Sequence, residues 1–320
     1  MQLNNTITTV CHLDTLPYLH KGRAVALGFF DGIHMGHKQI IRQTVKTAVL
    51  NGMTSTVITF INFDKNEGGL LTTIEEKREI LSGLGVDELL VLDFNSVKDM
   101  PADVFLNDII LMRLSSVSLF CGNDYRFGSK ASGDVSVLSS FGASHGIEVT
   151  VFEDKLYGSE GRRLSSSWLR ECVAEGDVEL YSELTGGTPF SYSGMVVQGR
   201  QLGRQLGFPT ANINIPEDKI KVKRGVYISR VMLGSRKLYG VTNVGLRPTV
   251  NGSADVSDVA ETYIFDLDED LYGARIKVEL LSFVRAECKF DSTDALAAQV
   301  ERDKETAKTW LAKSGIIFPV

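Results

Sequence analysis

Two histidines three positions apart are the first candidates for chemistry in this sequence. His34 and His37 lie in the segment GFFDGIHMGH (28–37), which follows an apolar run typical of a β-strand and precedes a helical pattern. At such a junction, free backbone N–H groups and the positive end of the helix can hold an anion without a cluster of basic side chains. We therefore predict a triphosphate site there, although the histidines could also be surface residues on a glycine-shaped turn.

A second candidate site lies in the segment GMVVQGRQLGRQLGFPTANI (194–213). Thr210 and Asn212 are two positions apart, so in an extended chain they project to the same side. A hydroxyl and an amide oxygen are hard ligands suited to Mg²⁺, with ATP oxygens completing the shell. Three glycines in the segment would let the backbone approach a phosphate closely: Gly199, Gly203 and Gly207. The alternative is a β-bulge and hairpin with a proline on its edge.

Composition narrows the classes of protein to which the chain can belong. It has 320 residues with 34 basic and 40 acidic side chains, and no block of Lys and Arg that could track a nucleic-acid backbone. No stretch approaches the roughly 18 to 20 apolar residues that a membrane span needs. The four cysteines form no CxxC pair, which is typical of a reducing compartment. We expect a cytoplasmic protein of two domains that binds neither nucleic acid nor membranes.

The first half alternates apolar runs with helical patterns, which predicts a doubly wound α/β domain with a parallel sheet. A Gly-rich loop is expected between the last two apolar runs. The predicted strands are RAVALGF (23–29), STVITF (55–60), ELLVLDF (88–94), SVSLFCG (116–122) and IEVTVF (147–152). The predicted helices cover residues 36–50, 74–84 and 102–114.

The texture of the sequence changes near residue 186. The segment 165–186 reads as one helix that ends at the pair Gly186–Gly187, so we place the domains at 1–186 and 187–320. From 189 to 290, short runs separated by Gly and Pro predict a compact antiparallel β-barrel. The last apolar pattern, DALAAQVERDKETAKTWLA (294–312), recurs at helical spacing and predicts a terminal helix that covers the barrel.

The first half resembles the HxGH nucleotidyltransferases, in the form found in bacterial bifunctional riboflavin kinase/FAD synthetases. The resemblance rests on GFFDGIHMGH, then on CGNDYRFGSKASGD (121–134) and LSSSWLR (164–170) in the same order. It implies that the FMN phosphate attacks the α-phosphorus of ATP and that pyrophosphate leaves. The implied catalytic or ATP-binding residues are His34, His37, Gly28, Phe29, Asp31, Gly32, Gly36, Asp124, Ser165, Ser166 and Arg170.

The second half resembles the riboflavin kinase part of the same enzymes. After PTAN, the segments KRGVY (223–227), NVGLRPTVNG (243–252), AETYIFDLDEDLYG (260–273) and FVRAECKF (283–290) follow in the family's order. The resemblance makes Glu261 the general base on the ribityl 5′-hydroxyl, and Tyr263 stands where the family often has His. The implied ATP-binding residues are Gly199, Arg200, Gly203 and Gly207, with Thr210 and Asn212 holding Mg²⁺. A loop over nucleotide and flavin would contain Asn243, Arg247, Pro248 and Thr249.

These resemblances together imply ATP-dependent phosphorylation of riboflavin to FMN, followed by adenylylation of FMN to FAD. One segment departs from the family: FINFDKNEGG (60–69) stands where F-x-P-H-P is usual. The first alternative is therefore a riboflavin kinase with a degenerate N-terminal domain. The second is a flavin-binding regulator that turns nothing over. The expected ligands are riboflavin, FMN, FAD, ATP and Mg²⁺, and the oligomeric state is left open.

Overall fold

The computed structural model describes residues 7–11, 15–62, 68–199, 207–248 and 256–316. The chain divides into two compact units, 1–166 and 167–320. The segment 167–186 thus groups with the second unit by its contacts, whereas the sequence pattern places the domain boundary at 186/187. That boundary stays a prediction. In the described part of the chain, no helix is both long enough and apolar enough to cross a membrane.

The first unit is built on a parallel sheet of six strands, in the order β1-β4-β3-β2-β5-β6. The strands are Ile7–Cys11 (β1), Arg23–Leu27 (β2), Thr54–Ile61 (β3), Glu88–Asp93 (β4), Ser116–Gly122 (β5) and Glu148–Phe152 (β6). The helices are Met35–Asn51 (α1), Ile74–Gly83 (α2), Phe94–Val97 (α3), Ala102–Val104 (α4) and Val135–His145 (α5). The predicted doubly wound α/β fold is confirmed.

Burial on both faces explains why these strands read as continuous apolar runs. Every residue of β2 is buried. Val25 and Leu27 belong to the core on one face of the sheet, and Ala24 and Ala26 belong to the core on the other. Because side chains alternate across a strand, a central strand between two helical layers needs apolar residues at every position.

The strand order creates a crevice beside the end of β2. From β2 the chain winds through β3 and β4 to one side of the sheet, whereas β5 and β6 lie on the other side. The connections that leave the carboxyl ends of β2 and β5 therefore diverge, which is where open α/β sheets bind their ligands. The segment 28–34 follows β2 and Asn123 follows β5, so both predicted N-terminal motifs reach this point.

The region that we predicted as a Gly-rich loop contains a helix, so that part of the prediction is wrong. Helix α5 starts after Asp134, whose carboxylate accepts hydrogen bonds from the backbone N–H groups of Ser136 and Val137. It ends at Gly146, which has a φ of 68°. An Asp before the helix and a Gly after it are ordinary cap signals, and the small residues between them hid the pattern.

Two further helical segments differ in detail from the prediction. The segment predicted as a helix over 102–114 is α4 followed by a π-helix, Phe105–Arg113. The single helix predicted over 165–186 is two helices, Ser166–Glu175 (α6) and Val178–Leu184 (α7). Gly176, with a φ of 78°, separates them, and the Asp177 side chain caps α7. A left-handed residue cannot continue a right-handed helix, so the break occurs there.

The second unit is built on an antiparallel sheet in the order β10-β13-β12-β11-β14-β9. Two short strands at the end of the first unit, Leu156–Tyr157 (β7) and Arg162–Arg163 (β8), pair as a hairpin. The strands of the second unit are Phe190–Met195 (β9), Thr210–Asn214 (β10), Gly225–Leu233 (β11), Arg236–Pro248 (β12), Val256–Ile264 (β13) and Arg275–Arg285 (β14).

The sheet curves until its edges approach each other, which confirms the predicted barrel-like fold. Just beyond β9, the Val197 N–H donates to the Asn212 carbonyl on β10 at 2.8 Å. The terminal helix, Thr293–Lys313 (α8), buries Ala307 and Leu311 against the barrel core. Closing the edges in this way removes unpaired backbone groups that would otherwise be exposed.

Candidate active sites

The loop between β2 and α1 holds an unusual backbone conformation. Phe30, Gly32 and Ile33 have φ values of 50°, 76° and 39°. Two of these are large side chains in the left-handed region, which costs free energy unless the surroundings enforce it. Phe30 and Ile33 are both buried in the core, so burial of apolar surface offsets the strain. The loop is therefore held in a fixed shape before any ligand binds.

The buried Asp31 side chain ties this loop to the segment 71–72. Its buried carboxylate accepts hydrogen bonds from the backbone N–H groups of Leu71 at 3.2 Å and Thr72 at 3.1 Å. The Gly32 N–H donates to the Thr72 hydroxyl at 3.1 Å, and the Ser166 hydroxyl donates to the Asp31 carbonyl at 2.9 Å. Asp31 and Ser166 thus position the loop. Direct contact of either one with a phosphate stays a prediction.

The two predicted histidines lie together at the start of α1. His34 is the N-cap residue, and its Nδ1 accepts a hydrogen bond from the His37 backbone N–H at 3.2 Å. The rings stack with centroids 3.6 Å apart. Because Nδ1 of His34 accepts, the neutral ring carries its proton on Nε2, where it can donate. Among the described residues, Nδ1 of His37 is buried without a hydrogen-bond partner, as expected for an atom that waits for a ligand.

Burial keeps both imidazoles neutral near pH 7. Desolvation lowers the pKa of His34 to about 4, with a further decrease from the charge of Arg163 and an opposing effect of Asp124. The pKa of His37 lies well below its usual value, mainly through desolvation and then through His34 and Lys77. The histidines can therefore offer an anion hydrogen bonds but little net charge. Positive charge for a triphosphate must come from the backbone, a metal ion or other side chains.

Two glycines of the motif are required by close contacts rather than by phosphate alone. A Cβ atom at Gly36 would lie 3.1 Å from the His34 ring, and one at Gly28 would lie 3.0 Å from the Phe30 ring. Both distances are tighter than ordinary van der Waals contacts. The small residues therefore let the rings take their observed places. Contact of Gly28 and Gly36 with ATP stays a prediction.

Asp124 reaches the same crevice from the end of β5. Its exposed carboxylate forms an ion pair with Arg163, with Nη2 and Oδ2 2.5 Å apart, and Arg163 also pairs with Asp154 at 2.9 Å. Both charges act on the pKa of His34, which places the pair beside the histidines. Sequence reasoning missed Arg163, which lies directly before the motif LSSSWLR (164–170).

Lys77 was also missed, because a lysine in a charged helix normally faces solvent. It is 1% exposed, and its Nζ donates to the Phe29 carbonyl and to the Thr59 hydroxyl, both at 2.8 Å. The Thr59 hydroxyl donates to the same carbonyl at 2.7 Å. Lys77 therefore lies directly beneath the candidate phosphate loop. No signal in the sequence distinguishes it from its exposed neighbours.

The remaining residues predicted for this site have less defined roles. Ser165 precedes α6, and Arg170 is half-buried on that helix. In the segment that replaces F-x-P-H-P, residues 63–67 lie outside the described residues. Asn62, just before them, has a φ of 56° and donates a hydrogen bond to the Asp93 carboxylate at 3.0 Å. The roles of Ser165 and Arg170 stay predictions.

In the second unit, strand register brings three predicted residues side by side. Glu261 on β13 pairs directly with Asn212 on β10 and with Asn243 on β12. Directly paired residues of antiparallel strands share a face, with Cβ atoms about 4.5 to 5.5 Å apart. The structure thus places an amide, a carboxylate and a second amide in one row, although 31 positions separate Asn212 from Asn243 in the sequence.

Asn212 carries the feature expected of a metal ligand. Its side chain is 4% exposed, and its Nδ2 donates to the Thr210 carbonyl at 3.0 Å. Among the described residues, its buried Oδ1 accepts no hydrogen bond. Such an orphaned oxygen normally costs about 1 to 3 kcal/mol, which a bound cation would offset. A Cβ atom at Gly199 would lie only 2.7 Å from Asn212 Nδ2, so a glycine is needed there.

Two cavities meet at Thr210. The larger, about 470 Å³, combines apolar and aromatic walls with the Glu261 carboxylate. The smaller, about 210 Å³, lies between Gly199, the 209–212 segment and the acidic loop 267–272. The larger cavity is lined by Phe208, Thr210, Val226, Val241, Asn243, Glu261, Tyr263, Arg285, Glu287, Cys288, Phe290, Leu296, Val300 and Asp303. A planar apolar ligand on one side and a polar one on the other would face each other at Thr210.

The wall of the larger cavity is held by an ion pair between β14 and α8. Asp303 is 4% exposed, and its carboxylate accepts hydrogen bonds from Arg285, with Nε at 2.9 Å and 3.1 Å from its two oxygens and Nη2 at 2.7 Å. Tyr263, which stands where the family often has His, lies under the Lys304 ammonium at 4.9 Å. These contacts fasten the terminal helix to the strands that carry the cavity.

The predicted flavin loop is a strand in the structure, so its description as a loop is wrong. Asn243, Arg247 and Pro248 belong to β12, where they pair with Glu261, Ser257 and Val256 of β13. Strand β13 pairs with β12 as far as Pro248. The Pro and Gly residues of this segment had instead suggested that the strand ends earlier. Asn243 donates to the Glu287 carboxylate at 3.3 Å. The role of these residues toward a flavin stays a prediction, and Gly207 is exposed at the start of the described segment.

Three predicted site residues lie outside the described residues: Arg200, Gly203 and Thr249. Among the described residues, no cluster of three or more His, Cys, Asp or Glu side chains is arranged to hold a metal ion. A cation at Thr210 and Asn212 would therefore need oxygens from a substrate to complete its coordination.

Comparison with known proteins assigns a family to each half. A family model described as FAD synthetase matches residues 17–168, and one described as riboflavin kinase matches residues 186–311. The bifunctional riboflavin kinase/FMN adenylyltransferase of Buchnera aphidicola subsp. Schizaphis graminum is 32% identical over 306 residues, covering 93% of this chain and 97% of the relative. That of Haemophilus influenzae is 34% identical, covering 91% and 94%.

One solved structure has the same fold over nearly the whole chain. A structure of a macrolide-efflux protein from Streptococcus pneumoniae superimposes with a TM-score of 0.83 at 29% identity. The alignment covers 95% of this chain and 99% of that one. Both halves of the fold therefore occur together in at least one other chain.

Proposed function

The chain belongs to the bifunctional riboflavin kinase/FMN adenylyltransferase family, and from this premise we propose how its residues divide the two reactions. The chain phosphorylates riboflavin to FMN and adenylylates FMN to FAD, each time at the expense of ATP. We assign the first reaction to the barrel and the second to the crevice of the parallel sheet. The observation that carries this assignment is the orphaned Oδ1 of Asn212, a residue that lines the smaller cavity and pairs in register with Glu261 of the larger one.

In the kinase reaction, riboflavin occupies the larger cavity with its ribityl 5′-hydroxyl at Glu261. The hydroxyl oxygen attacks the γ-phosphorus of ATP while the bond to the bridging β–γ oxygen breaks, and the hydroxyl proton passes to the Glu261 carboxylate. ADP leaves through the smaller cavity. Thr210, which lines both cavities, lies where the phosphoryl group crosses. The products are FMN and ADP.

Thr210 and Asn212 fit a magnesium ion that arrives with ATP. The donor set is two neutral oxygens, one of them buried without a partner, as expected of a site that shares its ion with phosphates. When bound, the ion neutralises charge that develops on the phosphate oxygens. Gly199 leaves room for the Asn212 amide, and the hydrogen bond from Nδ2 to the Thr210 carbonyl holds that amide in place.

In the adenylyltransferase reaction, a phosphate oxygen of FMN attacks the α-phosphorus of ATP, and the bond from the α-phosphorus to the leaving pyrophosphate breaks. This displacement needs alignment and stabilisation of charge rather than a covalent nucleophile. His34 donates from Nε2, and the N–H groups at the start of α1 add further donors. The strained, pinned loop keeps these donors in place without reorganisation.

Incubation of the purified chain with riboflavin, ATP and Mg²⁺, followed by chromatography of the flavins, tests this function. We expect FMN first and FAD afterwards, and FAD directly when FMN is supplied. FMN that accumulates without FAD would instead support a kinase with a degenerate first domain. Flavin binding without any ATP consumption would support the regulator. A cytoplasmic location and the domain boundary at 186/187 stay part of the proposal.

A further inference from the structure

A buried lysine beneath the adenylyltransferase loop has no place in the mechanism described above. Lys77 on α2 is 1% exposed, and its Nζ donates hydrogen bonds to the Phe29 carbonyl and the Thr59 hydroxyl. Its Nζ also lies 4.8 Å from the centroid of the Phe29 ring. Lysine is among the residues least often fully buried, because burial of an ammonium group costs free energy. A role in the site would explain why it is there.

The Phe29 carbonyl is an informative partner for this ammonium group. In a trans peptide, the C=O of one residue and the N–H of the next point in opposite directions. Lys77 and Thr59 hold the Phe29 carbonyl from the β3 and α2 side. The N–H of Phe30 therefore points away from them, on the side of the loop that does not face β3.

Lys77 supplies positive charge beside the loop, because the two nearby histidines are neutral. Desolvation lowers the pKa of Lys77 to about 8, and the nearby Asp31 carboxylate opposes this decrease. Lys77 in turn helps to lower the pKa of His37. Near pH 7 the lysine is therefore mostly charged while both histidines are neutral. Asp31 on the loop and His37 on α1 are the titratable groups that face it from the neighbouring elements.

We propose that Lys77 is a positioning residue of the adenylyltransferase site, which aims the Phe30 N–H at the bound triphosphate and places a positive charge beneath the loop. This inference rests on the proposed function of the first unit. It assigns the triphosphate a donor and a charge that the HxGH motif itself does not contain. Lys77 acts through the loop and need not touch ATP.

The test compares Lys77→Met with Lys46→Met in the full chain. Lys46 lies exposed on α1, so its replacement removes the same charge without disturbing the loop. We expect Lys77→Met to raise the KM for ATP and lower kcat/KM for FMN adenylylation at least tenfold, while riboflavin phosphorylation stays within twofold. Lys46→Met should leave both reactions within twofold. Lys77→Arg keeps the charge, so its kcat/KM for FMN adenylylation should be at least threefold higher than that of Lys77→Met.

A pH profile separates positioning by charge from simple structural support. Since the pKa of Lys77 is about 8, adenylylation by the unaltered chain should fall as the pH rises through that value. Lys77→Arg should lose this alkaline decrease, and Lys46→Met should keep it. If both Lys77 variants fail to fold, as judged by thermal melting, the profile of the unaltered chain decides. Adenylylation that stays constant up to pH 9.5 would overturn the proposal, as would a folded Lys77→Met with normal FAD output.

Binding of ATP keeps this inference separate from the proposed function. In a chain that carries Asn212→Ala to disable the kinase site, isothermal titration measures ATP at the loop. If the added Lys77→Met weakens the affinity for ATP at least tenfold, the inference is supported. This holds even if the unaltered chain forms no FAD, because in that case only the proposed reaction fails. Unchanged affinity together with normal FAD formation rejects Lys77 and keeps the reaction.

Discussion

The substitution Gly199→Ala adds a single methyl group next to the candidate metal ligand. The new Cβ atom would lie 2.7 Å from Asn212 Nδ2, 2.9 Å from Cγ and 3.0 Å from Oδ1. An ordinary van der Waals contact starts at 3.4 Å, so the amide must retreat by about 0.7 Å, the difference between 3.4 Å and 2.7 Å. Because Nδ2 donates a hydrogen bond to the Thr210 carbonyl at 3.0 Å, moving the amide also strains that hydrogen bond.

The displacement sets the size of the expected effect. A misplacement of about 1 Å in a catalytic group can cost about a hundredfold in rate. For 0.7 Å we expect riboflavin phosphorylation to fall about tenfold to a hundredfold in kcat/KM, or roughly 1.4 to 2.7 kcal/mol. If Asn212 holds the metal, the Mg²⁺ concentration for half-maximal activity should rise as well.

Riboflavin phosphorylation, measured by chromatography over a range of Mg²⁺ concentrations, checks both effects in one variant. Conversion of supplied FMN to FAD serves as an internal control, since it depends on the other unit and should change less than twofold. Gly194→Ala is a matched control on β9, where the added methyl would meet Ile213 at 3.3 Å and not Asn212. Normal kinase activity and normal Mg²⁺ dependence in Gly199→Ala would refute Asn212 as a metal ligand.

Three further predictions address the other candidate residues. Glu261→Gln should lower riboflavin phosphorylation about a hundredfold to ten-thousandfold, the usual contribution of a general base, and leave FMN adenylylation intact; an unchanged kinase rate would exclude this role. His37→Ala should slow adenylylation and spare the kinase, whereas His145→Ala on the surface of α5 should change neither, and equal FAD output from both variants would contradict the phosphate site. Because the folded-state pKa of His34 is about 4, below its usual 6.5, the folded chain binds fewer protons than the unfolded chain between these values. Stability should therefore fall as the pH drops from 6.5 toward 4, by up to about 1.4 kcal/mol per pH unit from this group, and denaturant titration of His34→Asn should show a shallower fall.

The sequence was sufficient to predict the fold class of each unit, because burial leaves a direct trace in residue types. A central strand such as β2 must be apolar on both faces, and its run of apolar residues predicted the strand to within two residues. Helix α5 left no such trace, because four of its eleven residues are Ser and one of its two buried positions is Gly142. The break between α6 and α7 depended on one glycine whose left-handed conformation only the packed structure reveals.

The candidate sites were predictable where motif residues themselves form the site, and not where packing recruits a residue from elsewhere. His34, His37, Asn212 and Glu261 could be named in advance. Lys77 could not, because its sequence neighbours are typical of an exposed helix and only its burial distinguishes it. Asp31 illustrates the converse, since its place in the motif suggests a phosphate contact while its carboxylate is engaged with the 71–72 backbone.

The two units bring their candidate site residues together by different geometric means, and this difference predicts how each tolerates change. In the parallel sheet, His34 and Asp124 meet because the loops after two adjacent strands open at the same crevice, so their placement depends on loop conformation and on pins such as Asp31. In the antiparallel sheet, Asn212 and Glu261 meet by direct pairing in the ladder. A one-residue slip there would move Glu261 to the opposite face. Insertions in the loops should therefore impair adenylylation first, whereas the kinase should be most sensitive to changes in strand register.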